Sequence, residues 1–185
     1  MARRTSSTPE ILLGLLSIGS MSGYDLGHAI RDSVGHFWNE SYGQIYPTLK
    51  SLAALGFVTS RTARRKGKPD RCVYAITPKG RQRLRDWLEL PPQPEIPRNE
   101  LLLKLFFGDQ ISTRTLIDHV ERMAEEHRAV VSFLAGAERE SMQAEEQRPA
   151  SRFWRLAARF GQLEMEAHLR WAEETLTELK TIAAE

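Results

Sequence analysis

The segment Pro91-Pro92-Gln93-Pro94-Glu95-Ile96-Pro97 limits what this chain can fold into more than any other stretch. A proline fixes φ at roughly −65° and has no amide hydrogen to donate. Four prolines in seven residues therefore exclude helix and central strand, leaving a stiff, extended connector. The 185-residue chain is expected to fold as two modules, residues 1–90 and 98–185, joined by the linker 91–97.

Charge changes sign at the same place. Residues 1–88 carry 14 Lys and Arg against 6 Asp and Glu, a net +8, whereas residues 89–185 carry 12 against 18, a net −6. A basic module joined to an acidic one implies that one end meets a polyanion and the other does not.

Several function classes drop out early. With 41% hydrophobic and 27% charged residues the composition is that of a globular protein. The single cysteine, Cys72, cannot form an internal disulfide, which fits a reducing, cytoplasmic setting. There is no CxxC or HxxxH spacing, so no metal or other cofactor is expected. Arg3 and Arg4 precede an apolar stretch over residues 11–18, but Gly14 and Ser17 interrupt it. It is also shorter than the roughly 20 residues a membrane span needs, so it reads as a buried first helix. No glycine-rich phosphate loop or nucleophile-and-base arrangement is legible, which argues against an enzyme.

The basic module is densely punctuated. Ile11, Leu12, Leu15 and Leu16 recur at helical spacing, and Gly19 is placed to end that helix. Ser22 followed by Asp25 forms a capping-box variant for a second helix over residues 23–33. A third helix carries Ile45, Leu49, Leu52 and Ala53 and stops at Gly56. Residues 57–60 and 72–76 read as strands flanking a basic turn, and Thr77-Pro78 launches a fourth helix to about Leu88. The fold class expected is mainly α with a small β-hairpin, an N-terminal winged helix-turn-helix followed by a long-helix dimerisation domain.

In a helix-turn-helix the second helix of the pair enters the major groove. On the third helix the apolar residues fix the buried face, and Gln44, Pro47 and Ser51 point the opposite way, flanked by Thr48 and Lys50. Gln can pair with adenine, Ser and Thr with several base edges, and Lys with guanine or phosphate. With Tyr42 at the helix start, the candidate DNA-contacting set is Tyr42, Gln44, Thr48, Lys50 and Ser51; the alternative is an ordinary solvated face. Pro47 leaves two readings open: regular helix begins near Tyr46, or the first turn from Tyr42 is distorted. Around the hairpin turn, Arg64, Arg65, Lys66, Lys68 and Arg71 are candidate phosphate contacts, with Arg61 beside them and only Asp70 opposing. A protein-interaction winged helix that never touches DNA is the alternative function, and the basic wing argues against it.

The strings Gly23-Tyr24-Asp25-Leu26, Tyr42-Gly43-Gln44-Ile45-Tyr46-Pro47-Thr48-Leu49 and Gly56-Phe57-Val58 resemble the PadR family of bacterial transcriptional regulators. Arg71-Cys72-Val73-Tyr74-Ala75-Ile76-Thr77-Pro78-Lys79-Gly80 and Trp87 continue the likeness, which covers residues 9–88. One departure is Ala53, where the family usually has an acidic residue. The resemblance implies a homodimeric repressor, or less often an activator, with recognition helix and wing entering successive grooves of a palindromic operator.

Beyond the linker the chain reads as helix, beginning with Leu101 to Phe107. Leu116, Val120, Met123, His127, Val130 and Leu134 step by three and four, as do Trp154, Ala158, Gly161, Met165, Leu169, Ala172, Leu176 and Leu179. A join near Gln147-Arg148-Pro149 lets the two long helices pack antiparallel. This pattern is similar to the longer, virulence-activator-type branch of the same family. The expected dimerisation residues are Leu116, Val120, Met123, Val130, Leu134, Trp154, Met165, Leu169, Leu176 and Leu179. Phe153, Trp154, Phe160 and Trp171 read as dimer core or as the lining of a pocket for a small-molecule effector. His127 and His168 read as packing residues. The expected partners are double-stranded DNA, a second copy of the chain and an effector, with no membrane.

Overall fold

A computed structural model describes residues 7–35, 37–38, 42–65, 68–94, 98–143 and 151–184. The chain divides into two compact units, residues 1–94 and 95–185. Among the described residues no helix is long and apolar enough to cross a membrane.

In the first unit α1 (Thr8–Ile18), α2 (Gly23–Ser33) and α3 (Tyr42–Ala54) close on one core. Leu12, Leu13 and Leu16 of α1 meet Leu26 and Ile30 of α2 and Ile45, Leu49 and Leu52 of α3, with Val58 from the sheet. Burying each such side chain contributes roughly 1.5–3 kcal/mol, so the helical spacing of these residues dictates the three-helix arrangement. The capping box at the start of α2 forms as its sequence implies. The Asp25 amide donates to Ser22 Oγ at 3.3 Å, and the Ser22 amide donates to Asp25 Oδ2 at 3.2 Å.

The sheet corrects two expectations. Strands β2 (Val58–Arg65) and β3 (Lys68–Ile76) extend well past 57–60 and 72–76, into a stretch that reads as loop because it is charged and lacks apolar alternation. A two-stranded ribbon needs only its backbone ladder, and that ladder runs antiparallel from Val58 opposite Ile76 to Arg65 opposite Lys68, with a register shift between Ala63 and Arg65. The hairpin also gains a third strand. β1 (Met21–Ser22) pairs with β3, giving the order β1-β3-β2, and at two residues it is too short to leave a periodic signal.

The exit from α3 is tightly specified. Gly56 has φ 75°, the left-handed conformation that glycine adopts without penalty. Its amide donates to Ala53 O at 3.0 Å and the Phe57 amide to Leu52 O at 2.9 Å, a Schellman ending. Gly19, by contrast, closes α1 in an extended conformation open to any residue. Helix α4 (Pro78–Leu88) starts against the same turn. Thr77 caps α4 by accepting from the Gly80 amide at 3.1 Å, and its own amide donates to Phe57 O at 3.0 Å. The Thr77 hydroxyl lies 2.8 Å from Gly56 O, and Lys79 Nζ donates to Leu55 O at 3.0 Å. Three groups from the start of α4 thus close on the end of α3.

In the second unit Asn99 caps α5 (Glu100–Phe106) by accepting from the Leu102 amide at 3.0 Å. Helices α6 (Thr113–Gln143) and α7 (Ser151–Ile182) then pack along their length. The pairing is antiparallel: His127 meets His168, and Glu138 near the end of α6 accepts from Gln162 nearer the start of α7.

A Cβ at position 80 would stand 2.1 Å from the Phe57 carbonyl oxygen. Gly80→Ala is therefore expected to destabilise the N-terminal unit by about 2–3 kcal/mol. Gly14→Ala, with nothing within 4 Å of the added Cβ on helix α1, is expected to stabilise it by about 0.5–1 kcal/mol. Urea denaturation of the full chain checks both, and similar shifts for the two would contradict the clasp.

Candidate nucleic-acid interface

Helix α3 separates its two faces cleanly. Ile45, Leu49 and Leu52 are buried, while Gln44, Pro47, Lys50 and Ser51 are exposed and Thr48 is half-buried. Pro47 lies inside the helix, which starts at Tyr42, so the reading in which regular helix begins only near Tyr46 is set aside. The Tyr42 side chain lies outside the described residues. Tyr46, absent from the expected contact set, is 58% exposed and lies against the backbone of Gly23, where a Cβ would come within 2.6 Å of its ring. Its spacing from Gly23 gives no sequence signal, because the contact joins two helices.

The basic cluster of the sequence falls on the β2–β3 hairpin. Arg64, Arg65 and Lys68 fall in the strands that flank the turn, while Lys66 and the side chains of residues 63–70 lie outside the described residues. Arg61 is exposed. Arg71 is in a different position: its guanidinium is paired with the Asp25 carboxylate at the head of α2. Burial pushes the Asp25 pKa up, but hydrogen bonds from Arg71 and Ser22, with the Arg71 charge, outweigh it and hold the carboxyl below its usual range. Tyr74, three pairs further along β3, has its pKa pushed up to about 12 by burial, with Cys72 and Tyr46 adding to the shift. It stays a neutral phenol at neutral pH.

The seam residues of the second unit are distributed unevenly. Leu116, Val120 and Leu179 are buried in a core shared with Ile117, Ala124 and Ala172, and Met123, Leu169, Trp171 and Leu176 pack against it. Leu134 is also buried, Val130 and Met165 are half-buried, and Trp154 is exposed. Much of the seam is therefore used within one chain. Phe153 and Phe160 are exposed, by 67% and 66%, as are Leu156, Leu163, Phe106 and Phe107. The sequence pattern did not single out Leu156 or Leu163, because both fall off the stepping seam.

His127 and His168 stack with ring centroids 5.0 Å apart, and the Nδ1 atoms of both are buried without a hydrogen-bond partner. Burial lowers the His127 pKa below the ordinary 6.5, and His168 lowers it further against the opposing pull of Glu126 and Glu164. Among the described residues no group of three or more His, Cys, Asp or Glu is arranged to hold a metal ion.

A model of the PadR-like family of transcriptional regulators matches residues 12–86, and one of the virulence activator α C-terminal region matches residues 97–180. The chain is 36% identical over 127 residues to the negative transcriptional regulator PadR of Bacillus subtilis, covering 68% of this chain and 70% of that one. It belongs to the PadR-like family. The crystal structure of Bacillus subtilis PadR in complex with operator DNA has a TM-score of 0.80 at 29% identity, over 96% of this chain and 99% of that one. The same regulator in complex with p-coumaric acid has a TM-score of 0.71 at 29% identity, over 95% and 99%. The Vibrio cholerae virulence activator AphA has a TM-score of 0.69 at 30% identity, over 96% and 100%. These findings bear out both the resemblance read from residues 9–88 and the likeness of the long C-terminal helices to the family's virulence-activator branch.

Because His127 has a lowered pKa, the folded state favours its neutral form and the unfolded chain takes up the proton first as pH falls. The α6–α7 pairing is thus expected to be most stable above about pH 6.5 and to weaken below it, towards the lower folded value. Thermal melts at about pH 7.5 and about pH 5.5 check this, with His127→Leu expected to shrink the difference. An unchanged difference in that variant would place the pH dependence elsewhere.

Proposed function

We propose that this chain is a cytoplasmic transcriptional repressor, not an enzyme, that binds a palindromic operator as a homodimer. Residues 1–90 would bind DNA and residues 98–185 would self-associate. The observation that carries this reading is the exposed polar face of α3, with Gln44, Lys50 and Ser51, in one unit with an antiparallel β2–β3 ribbon whose sequence is rich in Arg and Lys. Gln44, Thr48, Lys50 and Ser51, with Tyr42, would read base edges and nearby phosphates, and Arg64, Arg65, Lys66 and Lys68 would neutralise phosphates. The Bacillus subtilis PadR complex with operator DNA supports the assignment.

Self-association would use what the α6–α7 pairing leaves uncovered. Phe153, Trp154, Leu156, Phe160 and Leu163 expose large apolar side chains on one half of α7, the kind of surface at which proteins associate. Half-buried Met123, Val130, Met165, Leu169 and Leu176 leave further partial surface elsewhere on the two helices. In a two-fold dimer the half-sites would lie about one helical turn, roughly 34 Å, apart or a multiple of it. A small-molecule effector would shift the equilibrium between DNA-bound and free forms, and the p-coumaric acid complex of Bacillus subtilis PadR supports including one.

Binding to the upstream region of its own or a neighbouring gene is expected to exceed binding to random DNA and to fall steeply with salt. Lys66→Ala should weaken binding to all sequences alike and reduce the salt slope by about 1, whereas Gln44→Ala should change base preference at one position. Mobility shifts over a salt series and a set of single-base operator variants distinguish the two. Equal, uniform effects would remove α3 as the reading helix, and salt-insensitive binding equal to random DNA would favour a protein-interaction role.

A further inference from the structure

Arg61 is exposed on β2, whereas Arg71 on β3 is held by a carboxylate. The Arg71 side chain is only 24% exposed, and its guanidinium is paired with Asp25 Oδ1. The other oxygen of the same carboxylate, Oδ2, accepts from the Ser22 amide and lies 3.2 Å from the Ser22 hydroxyl. One carboxylate thus does two jobs with two oxygens: it completes the cap of α2 and grips β3.

The place of this pair along β3 explains why a tie is needed there. β1 pairs with β3 only at Met21 opposite Tyr74 and Ser22 opposite Val73, after which the chain turns into α2. Arg71 lies two residues further towards the tip, on the same face of the strand as Val73. It stands opposite Ala63, where the register shift begins and the ladder is locally weakened. The ion pair takes over as the three-stranded pairing gives out.

Resting on the operator-binding reading above, we propose that Asp25 is a positioning residue for the wing, holding Arg71 as a strut between α2 and β3, so that Arg71 is not a phosphate ligand. This withdraws Arg71 from the phosphate-contacting set expected from sequence and leaves that work to the cations nearer the tip. It also assigns Asp25 an effect on DNA binding opposite in sign to its charge. A carboxylate beside a polyanion should repel it, and removing that charge from a freely placed wing would tighten binding.

The test compares Asp25→Gln with Asp25→Glu in the full chain. Glu and Gln both serve at this position of a capping box, so both variants keep the α2 cap and only the Glu variant keeps the charge that holds Arg71. The probe is the DNA that the wild-type chain selects from a random-sequence duplex pool. Asp25→Gln is expected to weaken binding by about tenfold, Arg71→Gln by a similar factor, and the double variant no further, while Asp25→Glu stays near wild type. In the DNA-free protein, hydrogen exchange of the β3 amides around residues 71–73 should quicken in Asp25→Gln and not in Asp25→Glu. Unchanged or tighter binding by Asp25→Gln would overturn the strut, as would unchanged exchange in β3. If the wild-type chain selects no DNA, the operator reading fails, and the exchange experiment still decides whether Asp25 holds the wing.

Discussion

The N-terminal unit depends on one carbonyl. Phe57 O, at the turn between α3 and β2, accepts from the Thr77 amide at 3.0 Å, and Gly80 packs so close to it that no side chain fits. Because Phe57 follows the left-handed Gly56 directly, this contact fixes where α3 ends and where α4 begins. Lys79 adds a hydrogen bond to Leu55 O and lies 4.9 Å over the Phe57 ring. A cation at the carboxyl end of a helix also complements the helix dipole. Helix α3 is thereby held at its end by the segment that leaves the wing, so helix and ribbon cannot reorient independently without breaking buried backbone contacts.

What could be read from sequence follows from the range of each interaction. Helices α1 to α4 were legible because their signals are local: the step of Ile45, Leu49 and Leu52, the Ser22-x-x-Asp25 box, Gly56 and Thr77-Pro78 each act within a turn of chain. The length of the ribbon was not legible, since Arg61 to Arg65 carry no apolar alternation and Gly67 with Pro69 suggests a loop. Nor was β1, whose two residues form a strand only because Val73 and Tyr74 lie beside them. The Asp25–Arg71 pair spans 46 positions, and nothing near either residue announces the other. At the recognition helix the exposed face was readable from periodicity alone, whereas Tyr46 was missed because what holds it is the backbone of Gly23 on another helix.

Electrostatics looks different once the partners of the charges are known. A net of +8 over residues 1–88 suggests a uniformly basic surface, yet Arg71 is matched by Asp25 and Arg83 by Glu10 at 2.8 Å. Glu10 is almost wholly buried, and Arg83 also lies against the Phe57 ring, so this pair joins the first turn of α1 to the middle of α4 within the fold. Such cations are fixed by their carboxylates and are poorly placed to release counterions from a polyanion. A net charge read from composition therefore overstates the cations available to a ligand.

The C-terminal seams show a limit of periodicity as an argument. A row stepping by three and four marks a face that must be covered, but it does not say by what. Here Leu116, Val120, Ala172 and Leu179 are covered within the chain, and the stepping pattern is largely satisfied by α6 against α7. Large apolar side chains are left exposed towards the start of α7, where Phe153, Leu156 and Phe160 are each about two-thirds exposed, and at the end of α5, at Phe106. Fully burying each such side chain would contribute roughly 1.5–3 kcal/mol, enough for a few of them to dominate an association. One helix thus divides along its length, its later turns completing the core with α6 and its earlier turns leaving large apolar side chains exposed.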